Sequence, residues 1–544
     1  MSDSGVDRGD FSLCAGTMKI VSFWILVSLI CAGCLQAPKA AASSASRPNI
    51  ILMMVDDLGF SDFGCYGSEI ETPNIDALAA EGLRFTRFYN TAKCHSSRVS
   101  LLTGLYCDEA GGQNLSHGVT IAEVLGKAGY ATAMVGKWHL NKEPTDRGFQ
   151  KYFGHLSGAT NYFRGDNTFR LNGKKWSDFE DGFYTTDANL KYAERFIREM
   201  IDQDSEGPFF LYLAHNAPHY PLQVKEEDYR KYEHRYENGW DEIRQDRYAR
   251  QLKMGIVPQE WALSPRPKNV PAWDTLSDKE KNWEARRMAA YAGMVDRVDQ
   301  VTGKLVRFLK ENGKWENTLL MICSDNGACP FDRTRGAEFE PWDPRSYWCY
   351  DTGWAHVGNT PFRLYKQNQH EGGIASPMIV HWPAGLKTKS GSLTDQPSHL
   401  VDFMATCIDV AETSYPESWP NMELDPLQGK SLVPIFQGNI RKPHDFLFFH
   451  FNSNRAIRKG KWKVVTHRAS QWELYNIEKD GTELHNLASQ HPAITKELAD
   501  LWYETAKNVD RLKGKAVSPV SGKTPPELLK DGRPEGAKKS RKSD

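Results

Sequence analysis

The sequence predicts an α/β protein: a mainly parallel sheet flanked by helices, followed by a smaller C-terminal α+β domain. Two observations carry this. From Arg47 to about Glu412, short and wholly apolar runs alternate with amphipathic stretches of helical period. That is the pattern of strands buried on both faces and of helices covering them. After a turn-rich passage, Pro416–Pro434, alternating strand patterns take over between Asp445 and Leu487, and one last helical pattern closes the fold. The division expected is a leader over residues 1–46, a main domain over 47–415, a subdomain over 416–510 and a disordered tail over 511–544.

The elements follow in order. Asn49–Val55 (NIILMMV) is the first strand, and Pro73–Gly82 is a helix opened by proline and closed by glycine. Thr120–Ala128 is a helix ended by Gly129, and Tyr130–Val135 the strand after it. Helix Leu190–Ile201 leads into strand Pro208–Ala214, and the long amphipathic helix Arg287–Lys310 into strand Asn317–Cys323. Met378–His381 is a short strand and Leu400–Val410 a helix. In the subdomain, Asn454–Arg458 and Trp462–Thr466 read as strands and Thr495–Val509 as the closing helix. The Lys-, Pro-, Gly- and Ser-rich end predicts disorder.

At the start, Met18-Lys19 precedes an apolar run, Ile20–Gly33, and then small residues up to Ser46. The run is too short to span a bilayer and reads as a secretory signal, placing the mature protein in the periplasm or outside the cell. It ends Cys31-Ala32-Gly33-Cys34, which leaves acylation of Cys34 and a lipid anchor as the alternative. Seven cysteines follow (65, 94, 107, 323, 329, 349 and 407), an odd number, and a disulfide, if there is one, would join Cys329 to Cys349. A net charge of −1 gives no reason to expect a nucleic-acid partner.

Ligands of open α/β sheets gather at the carboxyl ends of the strands. Here Val55 is followed by Asp56-Asp57, Cys323 by Ser324-Asp325-Asn326-Gly327, Val135 by Gly136-Lys137-Trp138-His139, and Ala214 by His215-Asn216-Ala217-Pro218-His219. Asp-Asp and Asp-Asn-Gly are each ordinary turn chemistry when taken alone. Together at two strand ends they form a hard oxygen donor set, suited to calcium or magnesium rather than zinc. Lys137, His139, His219 and Arg98 beside a cation would make an anion pocket. His215 reads as a structural residue.

One further segment carries a resemblance. Cys94-His95-Ser96-Ser97-Arg98, followed by Leu101-Leu102-Thr103-Gly104, resembles the sulfatase signature Cys-x-Pro-x-Arg before Leu-Leu-Thr-Gly. RPNIILMMVDDLG, ETPNIDALAAEG, GKWHL, PTDRGF, SDNG, HEGG and WELYNIEKDGTELHNLA are similar to stretches of bacterial arylsulfatase-type members, in order across residues 47–510. The resemblance implies the formylglycine-dependent, type I class and an alkaline-phosphatase-like core. It implies Asp56, Asp57, Asp325 and Asn326 as ligands of calcium, with the modified Cys94 as a further contact. Arg98 would hold the modified side chain, Lys137 and His219 would bind sulfate oxygens, and His139 would assist the formylglycine hydrate. Lys366, five residues before Glu371 in KQNQHEGG, has the family's spacing for a second sulfate-contacting lysine. The chain departs from the signature at Ser96, where proline or sometimes alanine stands.

The implied chemistry is hydrolysis of a sulfate ester. One hydroxyl of a hydrated aldehyde attacks sulfur, the alcohol leaves with a proton from His219, and loss of a proton from the second hydroxyl to a base such as His139 expels sulfate. A sulfatase-maturating enzyme, formylglycine-generating or of another kind, is the partner this requires. The expected substrate is a sulfated glycan, with selectivity in the loops Asn161–Asp181 and Asp332–Val357. The alternatives are a non-catalytic binder of sulfated glycans with Cys94 unconverted, and a phosphate or phosphonate ester hydrolase of the same superfold.

Overall fold

Eleven strands form the main sheet of the computed structural model, which describes residues 47–509 and Val520. They are β1 (Asn49–Val55), β2 (Leu83–Tyr89), β3 (Ala131–Gly136), β4 (Lys151–His155), β5 (Phe169–Leu171), β6 (Lys174–Lys175), β7 (Phe209–Ala214), β8 (Thr318–Ser324), β9 (Ala375–His381), β10 (Ser392–Thr394) and β11 (Ser398–His399). The leader with Cys34, and the tail apart from Val520, lie outside the described residues.

All seven residues of β1 are buried, and they divide between two cores. Ile51, Met53 and Val55 face one cluster; Ile50, Leu52 and Met54 face the other. The first is covered by helices Pro73–Glu81, Thr185–Gln203 and Asp278–Glu311, the second by Cys94–Thr103, Ile121–Lys127 and Asp402–Val410. An uninterrupted apolar run is what a strand covered on both faces requires.

The strand order is β10-β2-β9-β8-β1-β7-β3-β4-β5-β6, with β11 also on β2. Strands β8, β1, β7, β3 and β4 are mutually parallel, so the expected mainly parallel sheet is present. The exception organises the site. β9 runs antiparallel to both β8 and β2. Two reversals return β2 to the direction of β1, so the residues after β2, the residues before β9 and the residues after β1, β3, β7 and β8 all reach one rim.

A second sheet, β12 (Leu447–Phe451), β13 (Asn454–Lys459), β14 (Trp462–Thr466) and β15 (Glu473–Asn476), is antiparallel throughout. The helix Pro492–Asn508 packs on it through Leu498, Ala499, Trp502 and Ala506. Among the described residues no helix is long and apolar enough to cross a membrane. Cys329 and Cys349 are both free thiols, so the expected disulfide between them is absent; the Cys349 sulfur accepts instead from the Arg333 amide at 3.4 Å.

Candidate active site

Cys94 is the first residue of the helix Cys94–Thr103, where unpaired amides give the helix its positive end. It is fully buried. The Ser96 hydroxyl donates to the Lys93 carbonyl (3.0 Å) and accepts from Thr91 (2.9 Å), so this helix start is held by hydroxyls. Ser97 donates to the Asp325 carbonyl at 2.5 Å and pins the helix to the loop after β8.

Around Cys94 the rim residues converge. Donor atoms of Asp56, Asp57, Cys94 and His219 lie within 4.8 Å of one another. Lys137 is bonded to Asp56 Oδ2, and Lys366 to Asp57 Oδ1 and, at 3.1 Å, to the Cys94 sulfur. Arg98 donates to the Lys137 carbonyl (2.8 Å) and to Asp325 Oδ2 (3.0 Å), and stands 3.4 Å from Asp56 Oδ2. Asp325 Oδ1 accepts from the Asp57 amide at 3.2 Å, and Asn326 Nδ2 donates to Asp57 Oδ1 at 2.6 Å. His219 Nε2 is 3.5 Å from Asp57 Oδ2, and its Nδ1 faces the Tyr220 carbonyl at 2.7 Å. His139 is more peripheral: its ring packs on Gly158, where a Cβ would fall 2.6 Å from Nε2, and lies 5.9 Å from the His95 ring.

The backbone is bent to achieve this. Asp57, Ala92, His139 and Gln367 all have positive φ, at 63°, 59°, 55° and 74°. Left-handed residues other than glycine cost of order 1 kcal/mol each and cluster at functional sites. Gly327 of the Asp-Asn-Gly loop is required for another reason: a Cβ there would meet the Gly372 carbonyl at 1.9 Å. That close approach brings the loops carrying Asn326 and Lys366 together.

The electrostatics divide the carboxylates. Burial works to raise the Asp56 carboxyl, but Lys137, His219, Arg98 and Lys366 outweigh it and hold it well below the ordinary range. Asp57 is likewise depressed, against its burial, chiefly by Lys366 and His219. Asp325 goes the other way, raised by burial and by the charges of Asp56 and Cys94. Burial drives His219 down to about 3, with Asp57 opposing. The imidazole is therefore neutral, as is His139, depressed by burial and by Lys137 and Arg98. Three cations and three carboxylates are packed where a further positive charge has ready acceptors: Asp56 Oδ1, Asp57 Oδ2 and Asn326 Oδ1 are buried and have no hydrogen-bond donor. Hard oxygen acceptors left open in this way fit a calcium- or magnesium-type ion.

All ten candidate residues thus fall in one region, with His139 at its edge. His215 is buried, with neither ring nitrogen bonded, and burial lowers it to about 4. No sequence signal marked Tyr220 as the neighbour that orients His219, nor Ser97 as the pin on Asp325. Both are single residues inside motifs read for something else.

Known proteins resemble the chain in sequence and fold. The sulfatase family description matches residues 48–413, and that of the N-sulphoglucosamine sulphohydrolase C-terminal region matches 362–508. An uncharacterized sulfatase of Schizosaccharomyces pombe is 31% identical, over 86% of this chain and 95% of its own. An arylsulfatase of Klebsiella aerogenes is 30% identical, over 76% of this chain and 96% of its own. The crystal structure of Ps i-CgsB in complex with k-i-k-neocarrahexaose superposes with a TM-score of 0.63 at 27% identity, covering 85% of this chain and 93% of that one.

Proposed function

The chain belongs to the sulfatase family, of the formylglycine-dependent type, and from that premise we propose that it removes sulfate from a sulfated glycan, using Cys94 after its oxidation to formylglycine together with a calcium ion. Hydrolysis of a sulfuric ester is the family's reaction. The observation that carries it is the position of the Cys94 sulfur, at a helix N-terminus, 3.1 Å from Lys366 Nζ and within one donor cluster with Asp56, Asp57 and His219. A glycan substrate is supported by the k-i-k-neocarrahexaose in the complex of Ps i-CgsB.

Asp56, Asp57 and Asn326, with Asp325 and the modified residue 94, would hold the ion. When bound, it supplies positive charge that acidifies a hydroxyl of the hydrate and offsets charge on the sulfate. The hydrate itself supplies two hydroxyls on one carbon, so that attack and release need no second nucleophile. The chain's other residues do the positioning. Lys137 and Lys366, whose ammonium groups stand beside Asp56 and Asp57, would bind sulfate oxygens. Arg98 keeps its carboxylate and carbonyl partners and fixes the Cys94 helix against Lys137. His219 Nδ1 is tied to the Tyr220 carbonyl, which leaves Nε2 for the ester oxygen of the leaving alcohol. His219 is neutral in this pocket, so an arriving sulfate, by adding negative charge, is what raises its affinity for the proton it delivers. His139, neutral at the edge, is placed to accept a proton from the hydrate.

The test takes the protein purified from its own host. Mass analysis of the peptide containing residues 94–98 reports thiol or formylglycine, and turnover of sulfated glycans and an aryl sulfate is measured with and without chelator. Formylglycine together with chelator-sensitive sulfate release is the expected result. Thiol alone with no turnover but retained glycan binding would instead support the binder; full activity after calcium removal would sink the metal assignment.

A further inference from the structure

Beside His219 stands a wall of two tyrosines and two arginines whose side chains the reaction does not use. The Arg333 guanidinium lies over the Tyr220 ring, 4.6 Å from its centroid. Arg335 donates to the Tyr220 hydroxyl at 3.1 Å and lies over the Tyr347 ring at 5.0 Å. The two rings are 6.3 Å apart. Arg335 and Tyr347 also exchange both backbone hydrogen bonds, at 3.0 and 2.9 Å, and Asn161 donates to the Tyr347 hydroxyl at 3.2 Å. The wall is therefore braced from two loops.

Its charge is unanswered. Neighbouring arginines have acids: Arg345 pairs with Asp343, Arg286 with Glu340 and Arg287 with Glu284. Asp332, next to Arg333 in the chain, is turned to Arg287 at 3.1 Å. Arg333 and Arg335 are exposed, and among the described residues neither guanidinium has a carboxylate within ion-pairing distance. Burial opposes the Arg333 charge, and the Cys329 and Cys349 thiols and then Asp57, in the site itself, favour it. Guanidinium groups laid on aromatic faces are held in place while their N–H donors stay free, the arrangement that favours planar or tetrahedral oxyanions.

We propose that Arg333 and Arg335, mounted on Tyr220 and Tyr347, form a subsite for a second anionic group of the substrate, a sulfate ester or a uronate carboxylate on the sugar beside the one that is desulfated. The substrate class is then an oligosaccharide carrying at least two negative groups within one disaccharide. This rests on the glycan sulfatase reading above and narrows it.

Three disaccharides test it: one with a sulfate on each sugar, one with a sulfate and a uronate, and one with a single sulfate. The wild-type kcat/KM is expected to favour one or both doubly anionic substrates over the singly sulfated one, and which of the two identifies the anion. In the Arg333→Ala/Arg335→Ala double variant that ratio should fall about 10- to 100-fold, mainly through KM, as for charge-assisted hydrogen bonds at a partly wet surface. Arg333→Lys/Arg335→Lys should restore part of it, and melting temperatures check that all variants fold. An unchanged ratio, or no wild-type preference, overturns the subsite. If the wild type cleaves no glycan, the glycan reading fails separately. Calorimetric binding of the same disaccharides to Cys94→Ser protein, with and without the two arginines, then decides the subsite: weaker binding of the doubly anionic ligands without them supports it, and equal binding overturns it.

Discussion

Two buried ionic networks share the segment 363–371, and they are finished differently. In the first, Lys366 bonds Asp57 and Cys94 while Asp56 Oδ1, Asp57 Oδ2 and Asn326 Oδ1 are left without donors. In the second, Lys463 of β14 sits between Glu371 (2.7 Å) and Glu483 (2.9 Å), and Glu473 Oε2 takes Arg363 (2.6 Å) and the Tyr475 hydroxyl (2.5 Å) and faces His370 at 3.1 Å. Every carboxylate of both networks has a cation opposite it, but in the second the one buried carboxylate oxygen without a hydrogen bond, Glu483 Oε1, still has Lys463 Nζ at 2.9 Å. Buried charge is thus no mark of function by itself. Acceptors left open beside a nucleophile are. The second network has a quieter use, since it locks the loop that carries Lys366 to the antiparallel sheet.

The comparison can be broken in several places, and the largest effect is expected at Cys94. Cys94→Ala should lower kcat on any sulfate ester by on the order of 10^4-fold or more with little change in melting temperature, as loss of a nucleophile does; comparable turnover would remove Cys94 from the chemistry. Lys463→Met should show the opposite profile. Leaving Glu371 and Glu483 buried without their cation costs about 3–5 kcal/mol, read as a lower denaturation midpoint. Lys366→Ala should lower kcat/KM about 10^2- to 10^3-fold, the usual loss for one donor to a charged transition state.

A smaller effect tests the open oxygens. Adding calcium to chelated protein at about 100 times its dissociation constant should stabilise it by about 2.7 kcal/mol, seen as a higher melting temperature. Asp57→Asn should abolish that gain; an equal gain in the variant would place the ion elsewhere. A pH dependence independent of both networks is expected from His215 and His399, which lie in neither. Burial depresses them to about 4 and about 3, while the unfolded chain takes up the proton near 6.5. The unfolded state therefore binds more protons between those values. Stability is fully present above pH 6.5 and declines as pH falls towards 4, by up to about 1.4 kcal/mol per unit for each histidine. A melting temperature flat from pH 7 to 4.5 would contradict this.

Much of the fold was legible because burial on both faces writes itself as uninterrupted apolar residues, as in NIILMMV of β1. The strand-end motifs then placed Asp56, Asp57, Lys137, His219, Asp325 and Asn326 on one rim without any coordinates. Other features had no local signature. β2, LRFTRFY, interleaves two arginines with its buried residues and does not stand out as a strand. The helix Cys94–Thr103 is rich in serine, a poor helix former, and is held by tertiary packing. The direction of β9 could not be read, since Met378–Val380 is equally apolar either way round, and Lys366 came from resemblance alone. The pairing of Lys463 with Glu371 joins residues 92 apart, beyond the reach of any spacing rule. Cysteine arithmetic suggested a bridge between residues 329 and 349, but a count says nothing of how two thiols face one another.

The reversal at β9 also sets a clock. Cys94 is fully enclosed, and the lysine against it lies 272 residues further along the chain. A ribosome adding about 5–20 residues per second needs roughly 15–50 s to make that stretch. Until β8 and β9 arrive, neither Asp325 nor Lys366 can cover the cysteine. An enzyme that oxidised Cys94, as the proposed function requires, would therefore work on an unfinished molecule, and the same strand insertion that completes the pocket would end the opportunity to activate it.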